Sequence, residues 1–309
     1  FWRDNMAITK LDDLLKIKNE RKMKLAVVSA QDKEVLEAVV EAMKLGIIDP
    51  ILIGNMEKIE DMLKKFGFNL EEFNIINERD LGKAAEIGVK RVRRGEADFL
   101  MKGIVDTATL MKAVLNKEWG LRTESLLSHI MVYEIDTYPK LIYLTDGGMN
   151  LYPDLEQKIK IIENGVQVAK AMGNETVKVA CLAAKEIKDP KMPATMDAYE
   201  ITRKYQEGYF EDGIIIDGPV ALDLAVSKKS ANIKGYKSEV AGDADILLVP
   251  NIEMGNGIGK SITYFAGGKS AGIIMGAKVP VVLTSRADTH ESKLYSIALG
   301  SIIAEKITN

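Results

Sequence analysis

Cysteine is almost missing: Cys181 stands alone in 309 residues. One thiol closes no internal disulfide and builds no cysteine-based zinc site. A reducing compartment, the cytoplasm, is the expected setting. Histidine is nearly as scarce, with only His129 and His290, so a histidine-rich metal centre is excluded. Aromatic residues make up 6%, and no basic stripe is interleaved with them. With Lys+Arg 42 against Asp+Glu 45 and a net charge of -3, nucleic acid is not an expected partner. Long apolar runs are also lacking. The stretch Ala271–Thr284 contains Lys278 and Pro280 and falls short of the ~20 residues that cross a bilayer, so no membrane is expected. The segment after Met6 carries Lys10, Asp12, Asp13 and Lys16, too much charge for a signal peptide. Residues 1–5, ahead of Met6, are read as extraneous and set aside.

Hydrophobic residues make up 47% and charged residues 28%, an ordinary globular mixture. The length suggests two domains at ~100–200 residues each. Along the chain, short β-branched runs alternate with segments of helical period. Strands are expected at Lys24–Ser29, Pro50–Gly54, Asp98–Met101, Leu126–Tyr133, Leu141–Thr145, Val177–Cys181, Gly213–Ile216, Ile246–Val249 and Pro280–Thr284. Helices are expected at Lys33–Leu45, Met56–Phe66, Asp80–Arg94, Thr107–Leu115 and Pro153–Met172. In the last of these, Asp154 and Gln157 have capping-box spacing. The alternation implies α/β architecture with parallel-rich sheets and crossover helices.

Ligands of parallel sheets bind beyond the carboxyl ends of strands. Four such ends are unusual here: Met101-Lys102-Gly103, Thr145-Asp146-Gly147-Gly148, Pro250–Ser261 and Thr284-Ser285-Arg286. The run Gly255-Asn256-Gly257-Ile258-Gly259-Lys260-Ser261 is not a P-loop, because Met254 occupies the first glycine position. It is not a dinucleotide fingerprint either, because Lys260 replaces the third glycine. A helix beginning near Gly255 offers amides to an anion; a plain tight turn is the alternative. Arg286 can fork two hydrogen bonds onto phosphate, or pair on the surface with Asp288 or Glu291. Lys102 is a second cation with the same two readings. Cys181, inside an apolar run, is read as a buried, inert thiol.

The C-terminal third carries an ordered series: Asp217-Gly218-Pro219-Val220-Ala221-Leu222-Asp223, Val240-Ala241-Gly242, Ala244–Pro250, Gly255-Asn256, Gly259-Lys260-Ser261, Tyr264–Gly267 and Thr284-Ser285-Arg286-Ala287-Asp288-Thr289. The series resembles the phosphate acetyl/butyryltransferase family, and the butyryl branch in particular, from about Lys22 onward. The Asp217–Asp223 run and Ser285–Thr289 carry the choice of branch. The resemblance implies two α/β domains flanking a cleft, similar to the isocitrate and isopropylmalate dehydrogenases. The first would hold residues 6–139 and 279–309, and the second, inserted domain residues 140–278. It implies reversible acyl transfer between coenzyme A and phosphate, with coenzyme A as substrate, no tightly bound cofactor, no metal, and a homodimer or larger homo-oligomer. By the same resemblance Ser285 and Arg286 are expected to be catalytic, and Asp288 and Glu291, close by on the same helix start, are the candidates for thiol base, with a residue elsewhere in the cleft as the alternative. Arg286, Lys102, Gly103 and Thr107 bind phosphate or acyl phosphate, and Asp146, Asn150, Gly255, Asn256 and Lys260 face coenzyme A. In the acetyl branch an aspartate after Ser-Arg serves as thiol base; that position here is Ser292, so Asp288 is ranked first as base and Glu291 second. Three other readings remain: an acetyltransferase, a dehydrogenase of similar fold, for which no Mg²⁺ carboxylate cluster is found, and a non-catalytic paralogue that binds acyl-CoA.

Overall fold

The computed structural model describes residues 7–285 and 287–308. The chain folds as two units. Of the described residues, the outer unit holds 11–125 and those from 271 onward; the inserted unit holds 126–270 together with 7–10. The sequence expectation put these crossings at 139/140 and 278/279. Both lie earlier in the structure, at 125/126 and 270/271; the first is shifted because the strand Ser128–Glu134 pairs with Ile142–Thr145 of the inserted unit. The N-terminal stretch joins that unit through the Ile8 amide, which donates to the Met172 carbonyl at 2.9 Å.

The outer unit opens with α1 (Leu11–Leu14), β1 (Met23–Val28), α2 (Lys33–Lys44), β2 (Ile48–Gly54), α3 (Met56–Lys65), β3 (Asn74–Asn77), α4 (Leu81–Arg93), β4 (Phe99–Lys102) and α5 (Thr107–Val114). The helices start where short polar side chains cap them. Asp32, Asn55, Asp80 and Asp106 each accept an amide from the first turn of the helix that follows, offsetting donors that a helix start leaves unpaired. The inserted unit follows with β5 (Ser128–Glu134), β6 (Ile142–Thr145), α6 (Leu155–Ala171), β7 (Val177–Leu182), α7 (Pro193–Gln206), β8 (Ile214–Val220), α8 (Leu222–Val226), α9 (Lys228–Lys234), β9 (Ile246–Leu248) and α10 (Ile252–Phe265). The capping box of α6 forms as expected, with Asp154 and Gln157 bonded reciprocally. The chain then returns to the outer unit through β10 (Lys269–Met275), β11 (Val281–Val282) and α11 (His290–Thr308).

In the outer unit the strand order is β3-β2-β1-β4-β11-β10. All neighbours are parallel except β10 and β11. In the inserted unit the order is β5-β6-β9-β7-β8, and only β5 and β6 are antiparallel. Alternation alone pointed to crossover helices throughout. The two antiparallel pairs break that rule because the links 135–141 and 276–280 are too short for a crossover, which takes about a dozen residues. The parallel strands are buried apolar runs, as in Leu25–Val28 and Phe99–Met101, which fits sheets covered on both faces. α11 is buried nearly all round, through Leu294, Tyr295, Ile297, Ala298, Leu299, Ile302 and Ile303, and packs against α2, β4 and β11.

Candidate active site

In the outer unit β1, β4 and β11 are parallel neighbours, so their carboxyl ends emerge on one edge. The pairing of Val281 with Leu100 and Val282 with Met101 brings Ser285 out beside the Lys102-Gly103 loop. Lys102 and Gly103 leave β4 and Ser285 follows β11 at this edge, with Thr107 and Asp288 next along their respective chains. Lys102 is 8% exposed, and its ammonium folds back on its own loop, donating to the carbonyls of Gly103 at 3.1 Å and Val105 at 3.2 Å. Gly103 admits no side chain, because a Cβ there would stand 2.1 Å from the Ser29 carbonyl oxygen. Ser29 has φ 58, a left-handed conformation that is costly for a non-glycine residue. Its carbonyl accepts the Ile104 amide at 2.9 Å. We expect Gly103→Ala to lower stability by about 1–3 kcal/mol, because backbone rather than a flexible side chain must move. Denaturant unfolding measures this, and an unchanged midpoint would refute the close approach. Thr107 is the first residue of α5, next to its cap Asp106. The Thr109 hydroxyl, bonded to Asp106, holds that carboxyl below the usual range.

The segment after β11 forms a turn that closes on itself. The Ser285 amide donates to Asp288 Oδ2 at 2.7 Å, the Asp288 amide donates to the Ser285 carbonyl at 3.1 Å, and the Ala287 amide reaches Ser285 Oγ at 3.3 Å. Ser285 is exposed. Arg286 lies outside the described residues. Glu291 points along α11, accepting from the Tyr295 hydroxyl at 2.9 Å. Desolvation, with the Asp12 and Glu291 carboxylates alongside, pushes that hydroxyl far up. Of the two base candidates, Asp288 belongs to the turn and Glu291 to the helix behind it.

In the inserted unit Asp146 follows β6 at the carboxyl edge. It is 2% exposed and its carboxylate is taken up by its own loop and by the neighbouring strand β5. It accepts from the amides of His129 at 3.1 Å, Gly148 at 2.8 Å, Met149 at 2.9 Å and Asn150 at 3.3 Å, and from Asn150 Nδ2 at 2.6 Å. Asn150 Nδ2 also reaches the Leu127 carbonyl at 2.9 Å. Asp146 and Asn150 therefore shape a loop. That loop lies on α10: a Cβ on Gly255 would come within 2.6 Å of the Gly147 Cα, and one on Gly147 within 2.8 Å of the Gly255 carbonyl carbon. Asn256 and Lys260, one turn apart, are exposed on α10. The Lys260 ammonium sits 5.9 Å from the Tyr264 ring centroid.

The expected anion-binding amides at Gly255 are not available. α10 starts at Ile252, capped by Asn251, whose side chain accepts the Met254 amide at 3.0 Å. The Gly255 amide is already bonded to the Asn251 carbonyl at 3.2 Å, and the Ile252 amide to the Leu151 carbonyl at 3.0 Å. Asn251 before an apolar residue is itself a cap signal, masked in the sequence by the glycines after it. A second feature went unread. Lys158 of α6, 5% exposed, pairs with Asp197 of α7 at 2.6 Å. With Cys181 and Pro250 these two line a small cavity at the ends of β7 and β9. Cys181 is 1% exposed, and burial pushes its thiol far up, which leaves it unreactive. Among the described residues no cluster of His, Cys, Asp and Glu could hold a metal, and no helix is long and apolar enough to cross a membrane.

A family model described as phosphate acetyl/butaryl transferase matches residues 77–301. A phosphate butyryltransferase of Clostridium acetobutylicum is 47% identical over 291 residues, 94% of this chain and 96% of that protein. This chain belongs to the phosphate acetyl/butyryltransferase family. Within the family, a phosphate acetyltransferase of Thermotoga maritima is 43% identical over 294 residues, 95% of this chain and 99% of that protein. A branched-chain phosphotransacylase from Enterococcus faecalis V583 superposes with a TM-score of 0.80 at 34% identity, covering 91% of this chain and 99% of that one. Outside the phosphotransacylases, a putative 4-hydroxythreonine-4-phosphate dehydrogenase from Salmonella typhimurium shares the fold alone, at 14% identity and a TM-score of 0.58 over 91% of this chain and 99% of that one.

Proposed function

We propose that this chain transfers a short acyl group, butyryl foremost, reversibly between coenzyme A and inorganic phosphate. The similarity to the clostridial phosphate butyryltransferase over 94% of the chain carries the reading. The Thermotoga acetyltransferase, at 43% identity, makes acetyl the competing acyl group. In this proposal the two α/β units are of the isocitrate/isopropylmalate dehydrogenase type. The outer unit supplies the phosphate-binding residues Lys102, Gly103, Thr107 and Arg286. The inserted unit supplies the coenzyme A side, with Asn256 and Lys260 offering polar groups and Asp146, Asn150 and Gly255 shaping the surface beneath them. The enzyme acts in the cytoplasm as a homodimer or larger assembly.

In the direction of thioester synthesis, the coenzyme A thiol gives its proton to the Asp288 carboxylate. The thiolate attacks the carbonyl carbon of the acyl phosphate, so a C–S bond forms. The C–O bond to phosphorus-bound oxygen then breaks, and phosphate leaves with the electron pair. Arg286 and Ser285 stabilise the oxyanion and the departing phosphate, the kind of preorganised donors that lower such barriers. Holding both substrates in register supplies much of the remainder. No enzyme nucleophile enters the sequence. Cys181 is buried and its thiol is pushed up, so Cys181→Ala should keep turnover near the parent value. Thiol release from a panel of acyl-CoAs with phosphate tests the reading: butyryl-CoA should give the highest kcat/KM, with intersecting double-reciprocal lines. Highest kcat/KM with acetyl-CoA would reassign the acyl group. Parallel lines with a trapped acyl-protein would overturn direct transfer.

A further inference from the structure

We propose that Lys293 is a positioning residue for acyl transfer, its buried ammonium fixing the Ser285–Asp288 turn by binding the Asp288 main-chain carbonyl and anchoring it to Glu34 of α2. This rests on the reading that the turn takes part in the chemistry. Lys293 lies in the first turn of α11 and is 2% exposed. Both facts oppose a lysine there. A helix start carries partial positive charge and disfavours a cation. Burying an ammonium is costly unless it is paired and bonded. An apolar residue of similar size in place of a buried ion pair is often neutral or stabilising. Stability alone therefore gives no reason for this residue, and a local rule broken without a stability gain points to function.

What the ammonium holds supplies the reason. Lys293 Nζ donates to the Asp288 carbonyl oxygen at 2.5 Å and to Glu34 Oε2 at 3.0 Å. Glu34 sits in the first turn of α2, where a carboxylate is favoured, and its bond to Lys293 holds it below the usual carboxylate range. Among the described residues, the other hydrogen bonds of the turn run between Ser285, Ala287 and Asp288. His290 also reaches α2, through Glu41 at 2.5 Å, but that contact docks the helix. The Lys293 contact reaches back into the turn. By holding the Asp288 carbonyl, the ammonium fixes the main chain at the residue whose carboxylate accepts the Ser285 amide, so the backbone that carries the carboxylate is tied to α2.

The test compares Lys293→Met with the parent enzyme in acyl-CoA phosphorolysis and in amide exchange over residues 285–289. Lys293→Met should fold, with kcat reduced roughly 10- to 100-fold, as small misplacements of reacting groups cost. KM for acyl-CoA should stay within about twofold, and amide exchange in the turn should quicken. Lys293→Arg, which keeps charge and donors, should recover part of kcat. A folded Lys293→Met with kcat within twofold of the parent overturns the proposal. Should that variant fail to fold, Glu34→Ala decides: faster exchange with lower kcat supports the anchor, and no change in either refutes it. Arg286→Ala separates the two levels. If it stays active, the assignment of the turn to the chemistry fails whatever Lys293 does. If it is inactive while Lys293→Met is active, the anchor alone fails.

Discussion

An Arg286→Ala variant should lose phosphorolysis of butyryl-CoA by roughly 10²–10³-fold, the usual cost of one donor to a developing anion, and remain folded. Arg286 follows Ser285 in the sequence, and Ser285 leaves β11 at the carboxyl edge where Lys102 and Gly103 also emerge. A guanidinium forks two parallel hydrogen bonds onto a phosphoryl group and stays charged at any working pH. Its contribution should grow as negative charge collects on the departing phosphate, so kcat should fall more than KM rises. Arg286→Lys should recover little, because an ammonium is a point charge without the fork. Initial rates by thiol release and far-UV circular dichroism check both halves. Near-parent turnover by the folded alanine variant would remove Arg286 from the mechanism.

The features readable from sequence are those written within a few residues. The capping box at Asp154 and Gln157 needs one turn of helix and forms as expected. The buried strands around Leu25–Val28 and Phe99–Met101 were legible because burial on both faces leaves an unbroken apolar run. β3 was missed because Asn74–Asn77 is only partly buried and has no such run. The antiparallel β10–β11 pair was hidden in the apolar stretch Ala271–Thr284, where Gly276, with φ 97, turns the chain.

For the site, the strand-end rule picked out Lys102-Gly103, Asp146-Gly147 and Ser285, and each of these does follow a strand at a carboxyl edge. What each side chain does there was not legible. Asp146 looks like a ligand in one dimension, yet it is consumed by four backbone amides and Asn150 of its own loop. The Lys158–Asp197 pair joins two helices, and Lys293 reads as an ordinary charged residue in a helix start until the turn folds over it. Such pairings depend on tertiary approach, which no local spacing encodes.

Asp288→Asn should lower turnover by about 10²-fold near neutral pH, within the range for removing a general base, and the deficit should shrink as pH rises. The sign follows from the substrate. A thiol with pKa near ~8.5 is mostly protonated at neutral pH, so the base matters most there. In alkaline solution free thiolate replaces what the base supplied. The asparagine variant isolates this role because its side-chain oxygen can still accept the Ser285 amide that Asp288 Oδ2 accepts at 2.7 Å, so the turn is kept while the proton acceptor is lost. Asp288→Ala removes both and should be worse at every pH. Glu291→Gln retains an acceptor for the Tyr295 hydroxyl and should follow the parent pH–rate profile. If Asp288→Asn follows the parent profile instead, the base lies elsewhere. If Asp288→Asn and Asp288→Ala are equally impaired with no recovery at high pH, Asp288 holds the turn and takes no proton.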